Sequence, residues 1–138
     1  MRRILILGVG GAAGNNVVRS LRAAPEPFYL VGTDTNRYHL QWPDVDRAYL
    51  VPPCHNVQYL DAIKEIVRNE RIDLAHAQPD VEVRVLSELR DEIGTRTLLP
   101  RKETVELLHN KFETSRRWHE AGVHAFPTLV ANTPDLLW

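Results

Sequence analysis

Short apolar runs alternate along the chain with segments whose apolar positions recur at helical spacing. The runs predict β-strands over residues 4–7, 28–33, 48–51, 72–77 and 96–99. The segments between them predict helices, and the clearest of these carries its apolar side chains on one face at Leu60, Ile63, Ile66 and Val67. Further helices are predicted after the first strand and over residues 81–93, 102–108 and 111–121.

The order of these elements predicts the fold class. The strands are separated by helical segments and lack close hairpin signals, so consecutive strands are expected to be joined by right-handed crossovers. The run at residues 4–7 is apolar throughout, which is typical of a strand that is covered on both faces. We therefore predict an α/β fold with an open, doubly wound parallel sheet between two helical layers, a Rossmann-like three-layer α/β/α arrangement.

Composition narrows the classes of function. The 138 residues include 17 basic and 18 acidic side chains, and this balance gives no general attraction to nucleic acid or to an anionic membrane. Cys54 is the only cysteine, which excludes an intrachain disulfide framework and favours a reducing compartment. The first apolar run is too short to span a bilayer, and the histidines show no pair at metal-ligand spacing. We expect a cytoplasmic protein with a small-molecule substrate, and we assign no metal site.

A glycine-rich turn joins the first strand to the first helix. Gly8 permits a tight turn, while Gly10 and Gly11 keep side chains away from an approaching ligand. The free N–H groups at the start of the helix, next to Asn15, favour an anion such as a phosphate or a carboxylate. The glycine turn is therefore a candidate ligand-binding segment, with Gly10 and Gly11 closest to the ligand.

An acidic residue accompanies this turn. Asp34 ends the second strand, 20 positions after Gly14, where a dinucleotide-binding fold keeps the carboxylate that binds a ribose. The glycine spacing fits more than one cofactor fingerprint, so it does not select a cofactor. Three interpretations stay open: glycines that only allow close packing of the helix, an inherited site that is empty or repurposed, and authentic dinucleotide binding.

Two further carboxylates follow the fourth strand. Asp80 and Glu82 lie at the carboxyl edge of the predicted sheet, where open α/β folds bind their ligands. They are candidates to face a substrate. In the alternative interpretation Asp80 caps the next helix and Glu82 favours the positive end of that helix.

Near the C-terminus, helix signals follow one another closely. Gly122 is placed to end the helix of residues 111–121 in a left-handed conformation. Thr133, Pro134 and Asp135 then form the start signal of another helix, which has room for a single turn before the sequence ends. Because one turn does not offset the cost of nucleating a helix, we expect the natural polypeptide to continue. The alternative is that these residues form a frayed C-terminal tail.

Taken in order, these segments resemble the N-terminal, or pre-ATP-grasp, domain of the ATP-grasp ligases, in particular sequences similar to the carbamoyl-phosphate synthase large subunit. The resemblance rests on residues 4–11, 31–34, 48–52 and 72–73, and on Asn110, Lys111, Gly122 and Pro127. It implies a ligase that uses ATP to convert a carboxylate to an acyl phosphate, from which an amine or another nucleophile displaces the phosphate.

The resemblance also implies roles for single residues. The family often carries Asp-Lys where this chain has Asn110 and Lys111, and the basic residue can contact ATP phosphates. Lys111 is thus a candidate cofactor-binding residue, although it can equally be a solvated lysine at a helix start. The residues expected on the substrate side of the active-site cleft are Gly10, Gly11, Asn15, Asp34 and Asp80.

The family's phosphate lid and magnesium-binding carboxylates come after the point at which this sequence ends. We expect residues 1–108 to form the pre-ATP-grasp domain and residues 109–138 to begin the ATP-grasp domain, whose remainder is the expected partner. ATP and Mg are then expected to be cofactors of the complete protein, and this chain alone is expected to bind neither of them tightly. We also expect the chain alone to be inactive, and we assign no catalytic residue to it.

The sequence also fits two other functions, and it predicts a possible homodimer. The glycine turn with Asp34 also fits the NAD(P)-binding module of an oxidoreductase, and the short length fits a regulatory or interaction domain without catalysis. Without its partner, the chain is expected to expose apolar surface that can support a homodimer, at Phe126, Leu129, Leu136 and Trp138.

Overall fold

The computed structural model describes residues 1–130. The first of two compact units covers Met1–Pro100, and the second begins at Arg101. The domain boundary at residues 108 and 109 remains a prediction. The strands of the first unit are β1 (Arg2–Leu7), β2 (Phe28–Asp34), β3 (Arg47–Leu50), β4 (Leu74–Ala77) and β5 (Arg96–Thr97). Its helices are α1 (Ala12–Arg22), α2 (Tyr59–Asn69) and α3 (Asp80–Glu88), with a 3-10 helix at His39–Gln41.

The five strands form one parallel sheet in the order β3-β2-β1-β4-β5. Strand β1 is central: Leu5 lies beside Val31 of β2 on one side and beside Ala75 of β4 on the other. Since the chain turns outward from β1 in both directions, the point where the direction changes lies at the end of β1. The predicted open, doubly wound fold is confirmed.

Successive residues of β1 point into two separate apolar cores. Leu5 and Leu7 belong to the larger core with side chains of α2 and α3, whereas Ile4 and Ile6 belong to the smaller core with Val18 of α1. Each core side chain of this size contributes about 1.5–3 kcal/mol by its burial. Packing on both faces holds the carboxyl ends of the strands in fixed positions, and the loops that build the site start there.

Helix α3 is shorter than its sequence pattern predicts. It ends at Glu88, with Leu89 at the C-cap, so the prediction of a helix through residue 93 is wrong. Ile93 is nevertheless buried, and it reaches the core from a non-helical segment that is followed by Gly94 at φ +79°. The helical spacing of the apolar residues between positions 81 and 93 indicates which side chains are buried, but it does not require a continuous helix over the whole segment.

The second unit contains α4 (Lys102–His109) and α5 (Lys111–Glu120). Asn110 separates them and caps α5, because its Oδ1 accepts the backbone N–H of Glu113 at 3.1 Å. Gly122 follows with φ +73°, which confirms the predicted left-handed end of this helix.

The helix start predicted at residues 133–135 lies outside the described residues, as do Leu136 and Trp138. In the part of the chain that the structure describes, no helix combines the length and the apolar character needed to cross a bilayer.

Candidate functional site

A cavity of about 430 Å³ opens at the carboxyl edge of the sheet in the first unit. Its lining comes from the segments that follow four different strands, β1 to β4. The lining residues are Gly8, Gly11, Asp34, Thr35, His39, Pro53, Cys54, His55, Pro79, Val81 and Glu82. A cavity of this volume suits a small molecule, and its place at the carboxyl ends of the strands is where open α/β sheets bind ligands.

The glycine turn is shaped by close backbone contacts. Gly8 has φ +63°, and a Cβ atom on it would lie 2.2 Å from Cγ of Pro79. A Cβ atom on Gly14 would lie 2.4 Å from the carbonyl oxygen of Gly8, so Gly14 allows α1 to pack against the turn. For Gly14, the structure therefore supports the interpretation in which a glycine serves packing.

Gly10 and Gly11 have different surroundings. A Cβ atom on Gly10 would lie 2.3 Å from Cβ of His39, so this buried glycine lies against the 3-10 helix and not against the cavity. Gly11 is exposed and lines the cavity, and a Cβ atom there would meet only the Gly8 carbonyl oxygen, at 3.5 Å. Of these two predicted binding residues, the structure places only Gly11 at the cavity wall.

Asp34 fastens the glycine turn to the end of β2. Its Oδ2 accepts the backbone N–H of Gly10 at 3.1 Å, and its Oδ1 accepts the backbone N–H of Asn36 at 2.9 Å. Nδ1 of His39 lies 3.6 Å from Oδ1. The carboxylate is 7% exposed and lines the cavity, but both of its oxygens already accept hydrogen bonds from the protein. Its contacts thus assign it a structural role, while a role toward substrate remains a prediction.

Glu82 is the cavity residue with an unused polar atom. It lies in the first turn of α3 and is 5% exposed. The hydroxyl of Tyr59 donates to its Oε1 at 2.9 Å, whereas its Oε2 is buried and has no hydrogen-bond partner among the described residues. Burial raises the pKa of the Glu82 carboxyl, and the nearby charge of Asp34 raises it further.

The burial of Glu82 was not predicted. The sequence left two interpretations of this carboxylate open: that it faces a substrate, or that it favours the positive end of the helix. One signal was available, because Glu82 and Leu86 are four residues apart and so lie on the same face of α3, the face that carries the core residue.

Asp80 and Asn15 border the site without lining the cavity. Asp80 is the exposed first residue of α3, and Pro79 occupies the N-cap with no side-chain hydrogen bond, so the interpretation of Asp80 as the cap is wrong. Asn15 is half-buried in the first turn of α1, where its backbone N–H donates to Gly11 O at 2.9 Å. A binding role for either side chain remains a prediction.

The segment after β3 also contributes to the cavity. Cys54 and His55, which follow β3, line the cavity although the sequence analysis gave them no binding role. Burial raises the pKa of the Cys54 thiol, and Glu82 adds to this shift, so the thiol is held protonated.

In the second unit, Lys111 is exposed at the start of α5, and its Nζ donates to the Leu108 carbonyl oxygen at 3.3 Å. Its predicted contact with ATP phosphates is untested by this geometry.

The family model that matches this chain is described as the PylC-like, N-terminal domain, and the match covers residues 4–98. The matched segment contains β2 to β5, residues 4–7 of β1 and every residue that lines the cavity. The chain belongs to the PylC-like N-terminal domain family. No curated protein matches the chain.

Solved structures share the fold of this PylC-like domain. The L-amino acid ligase from Bacillus licheniformis has a TM-score of 0.67 at 12% identity, with 91% of this chain and 30% of that chain covered. The biotin carboxylase domain of the Hydrogenobacter thermophilus 2-oxoglutarate carboxylase, in complex with MgADP, ADP and bicarbonate, has a TM-score of 0.63 at 16% identity, covering 91% and 28%. The glycinamide-RNase-transformylase T from Mycobacterium tuberculosis has a TM-score of 0.61 at 15% identity, covering 91% and 37%.

The family and the fold confirm the resemblance to the N-terminal, pre-ATP-grasp domains of ATP-grasp ligases. The closer likeness to the carbamoyl-phosphate synthase large subunit stays a prediction. The chain spans between 28% and 37% of the length of these three solved proteins. At identities this low, the likeness to them shows the fold, and their activities do not transfer with it.

Proposed function

We propose that this chain is the N-terminal, substrate-side domain of an ATP-dependent ligase that joins a carboxylate to an amine through an acyl phosphate, or acts like a carbamoyl-phosphate synthase. The observation that supports this most is the cavity built from the segments after four parallel strands in a PylC-like domain. In the proposed enzyme this cavity forms one wall of the active-site cleft.

The walls of the cavity suit recognition of a small molecule. Gly11 presents bare backbone, and the first N–H groups of α1 beyond it have no side-chain cap, so this wall favours an anionic group of the ligand. Asp34 holds the turn in place, and Glu82 offers an acceptor beside the turn. Gly10, Asn15 and Asp80 are proposed to shape or border the same substrate side.

ATP and Mg are proposed as cofactors of the complete protein. Within residues 1–130, no cluster of three or more His, Cys, Asp or Glu side chains is arranged to hold a metal ion. Lys111, the residue predicted to contact ATP phosphates, is exposed and supplies one positive charge. These residues therefore do not fit a complete MgATP site, and no chemical step is assigned to them. Phosphoryl transfer depends on positioned cations, which the C-terminal ATP-grasp domain is proposed to supply, so the isolated chain is expected to be inactive.

The remaining proposals concern location and assembly. We place the enzyme in the cytoplasm, and we propose that the chain alone can form a homodimer through its exposed apolar side chains. Phe126 is 91% exposed and Leu129 is 79% exposed in the second unit. Sedimentation of the 138-residue chain tests the dimer, and a monomer at high concentration would contradict it.

The coding sequence downstream of Trp138 provides the test of function. If it encodes a glycine-rich loop and paired acidic residues, the complete polypeptide should release ADP only when a carboxylate and an amine are both present. The 138-residue chain serves as the control and should release none. Turnover by the control, or a natural stop after Trp138, would contradict the proposal. An NADH fluorescence change that Asp34→Ala abolishes would favour the oxidoreductase alternative.

A further inference from the structure

The cavity is lined by Glu82, whose buried Oε2 is an acceptor that no described residue uses. The Glu82 side chain is almost completely buried, and Oε1 is held by the hydroxyl of Tyr59 at 2.9 Å. Oε2 has no partner among the described residues. An ionised carboxylate oxygen that is buried without a hydrogen bond is unfavourable, so Glu82 is favoured either as the protonated acid or with a donor from outside the protein.

Oε2 lies beside the glycine turn. A Cβ atom on Gly8 would lie 2.9 Å from Oε2 and 2.2 Å from the ring of Pro79, so only a glycine fits between these groups. Gly8, Pro79 and Glu82 all line the cavity. The unused oxygen and the glycine turn therefore belong to the same part of the site.

The charges around the cavity favour a cationic donor. Its lining contains the carboxyl groups of Asp34 and Glu82, and among the described residues it contains no lysine or arginine. His39 and His55 are the ionisable nitrogen bases of the lining. Each oxygen of Asp34 already accepts a backbone N–H group, whereas Glu82 Oε2 accepts no hydrogen bond from the described residues and is the less satisfied of the two acceptors.

The arrangement of Glu82 also distinguishes among cations. A guanidinium binds a carboxylate best as a fork that uses both oxygens, but Tyr59 holds Oε1. An ammonium is a compact point charge that needs one oxygen, and its charge offsets the cost of keeping the carboxylate ionised in a buried place.

We propose that the cavity binds a ligand that carries a primary ammonium group, and that Glu82 is the residue that recognises this group through Oε2. This inference deepens the proposed function and rests on it, because it assigns the substrate-side wall to an amine-bearing ligand. Tyr59 is then a positioning residue, since it fixes the rotamer of Glu82 and touches no ligand in this arrangement.

Carboxyl NMR on the full 138-residue chain tests the proposal with ethylammonium chloride as the probe. Ethylammonium should shift the side-chain carboxyl resonance of Glu82 and lower the pKa of that group, because a bound cation favours the ionised form. Ethanol of equal concentration in sodium chloride of equal ionic strength should leave the resonance in place. An equal effect of ethanol would overturn the proposal, since a neutral donor would then suffice.

Two charge-removing variants make the comparison specific. Binding to the variants is followed by the backbone amide resonances of the cavity residues, because Glu82→Gln has no carboxyl resonance at this position. Glu82→Gln should weaken ethylammonium binding by about tenfold or more, as expected for loss of a charge-assisted hydrogen bond. Glu65→Gln removes an exposed carboxylate of α2 and should bind as the unmodified chain does. Equal loss in both variants would overturn the proposal.

The assay remains decisive even if a variant does not fold, because an unmoved Glu82 resonance in the unmodified chain overturns the proposal by itself. It also needs neither ATP nor a further domain. Its failure therefore leaves the proposed ligase function standing, and a failure of ADP release in the complete polypeptide leaves this binding result unaffected.

Discussion

The backbone N–H of Gly10 donates to Oδ2 of Asp34 at 3.1 Å and so ties the glycine turn after β1 to the end of β2. The other oxygen of Asp34 accepts the N–H of Asn36 at 2.9 Å. One carboxylate thereby orders two loops at the point where the sheet changes direction. The site geometry depends on this connection, which a charge at the end of a strand can supply without touching any ligand.

Asp34→Ala is expected to destabilise the first unit, because it leaves the N–H groups of Gly10 and Asn36 without their acceptor. Loss of two charge-assisted bonds predicts a fall of about 2–4 kcal/mol in the free energy of unfolding. Urea denaturation measures it. Asp44→Ala is the control, because Asp44 is largely exposed in its ion pair with Arg22 and should change stability by less than about 1 kcal/mol. Equal losses in the two variants would contradict the role given to Asp34.

Gly8→Ala and Gly94→Ala form a matched pair. Both glycines have positive φ, +63° and +79°, so each alanine meets a similar backbone strain of about 1–2 kcal/mol. Only at Gly8 does the new Cβ also collide with Pro79, whereas at Gly94 the nearest atom, a methyl group of Val67, lies 4.0 Å away. Thermal unfolding should therefore show a clearly larger loss for Gly8→Ala. Similar losses would mean that Pro79 moves aside without cost.

Glu82 is expected to lower stability as the pH rises. Burial raises its folded-state pKa above the ordinary value of 4.5, so the folded protein holds this proton more tightly than the unfolded chain does. The favourable contribution is complete below about pH 4.5 and is lost as the pH rises through the raised folded-state pKa. The free energy of unfolding of Glu82→Gln, relative to the unmodified chain, should therefore increase across this window. A difference independent of pH would contradict the assignment.

Other carboxylates act in the opposite sense, so the comparison with Glu82→Gln is essential. The Tyr49 hydroxyl, followed by Arg3, lowers the pKa of Glu70, and hydrogen bonds from Leu30 and Arg22 lower that of Asp46 against the effect of burial. Their stabilisation is present above the ordinary carboxyl pKa and is lost as the pH falls through their lowered folded-state values. These contributions are common to both proteins and cancel in the difference.

Asn110→Ala is expected to loosen the start of α5. The Asn110 side chain accepts the N–H of Glu113, and loss of an N-cap costs about 1 kcal/mol. Hydrogen exchange of the Glu113 amide should accelerate by about fivefold, which corresponds to that free energy. Asn110→Asp is the control, because it restores the Asp-Lys pair common in the resembling ligases, keeps the acceptor and adds a charge that the helix start favours. Faster exchange in Asn110→Asp would contradict the capping role.

The open, doubly wound parallel sheet could be predicted, because continuous apolar runs between helical segments leave few alternatives. Residues 4–7 show why: both sides of this strand face a core, and no polar residue interrupts the run. The ends of the helices were harder to predict. Helix α3 stops at Glu88 although apolar residues continue at helical spacing, since Ile93 reaches the core without helical backbone.

The site was predictable only in part. Gly11 could be placed at a ligand wall from the glycine turn alone, but sequence spacing could not show that Gly10 lies beneath His39, a contact between residues 29 positions apart. Nor could it show that Tyr59 holds Glu82, because that pair depends on the packing of α2 against α3. Contacts between elements that are remote in sequence decide which polar atoms remain free for a ligand.

The steady-state kinetics of Gly11→Val in the complete polypeptide test the central claim most directly. An added Cβ at Gly11 meets only the Gly8 carbonyl oxygen, at an ordinary contact distance of 3.5 Å, so the valine should fill part of the cavity without disturbing the fold. We expect the KM for the non-nucleotide substrate to rise by about tenfold or more, because the valine side chain would occupy part of the space that the ligand needs. The KM for ATP should stay unchanged. Unchanged kinetics for both substrates would contradict the claim that this cavity is the substrate-side wall of the active site.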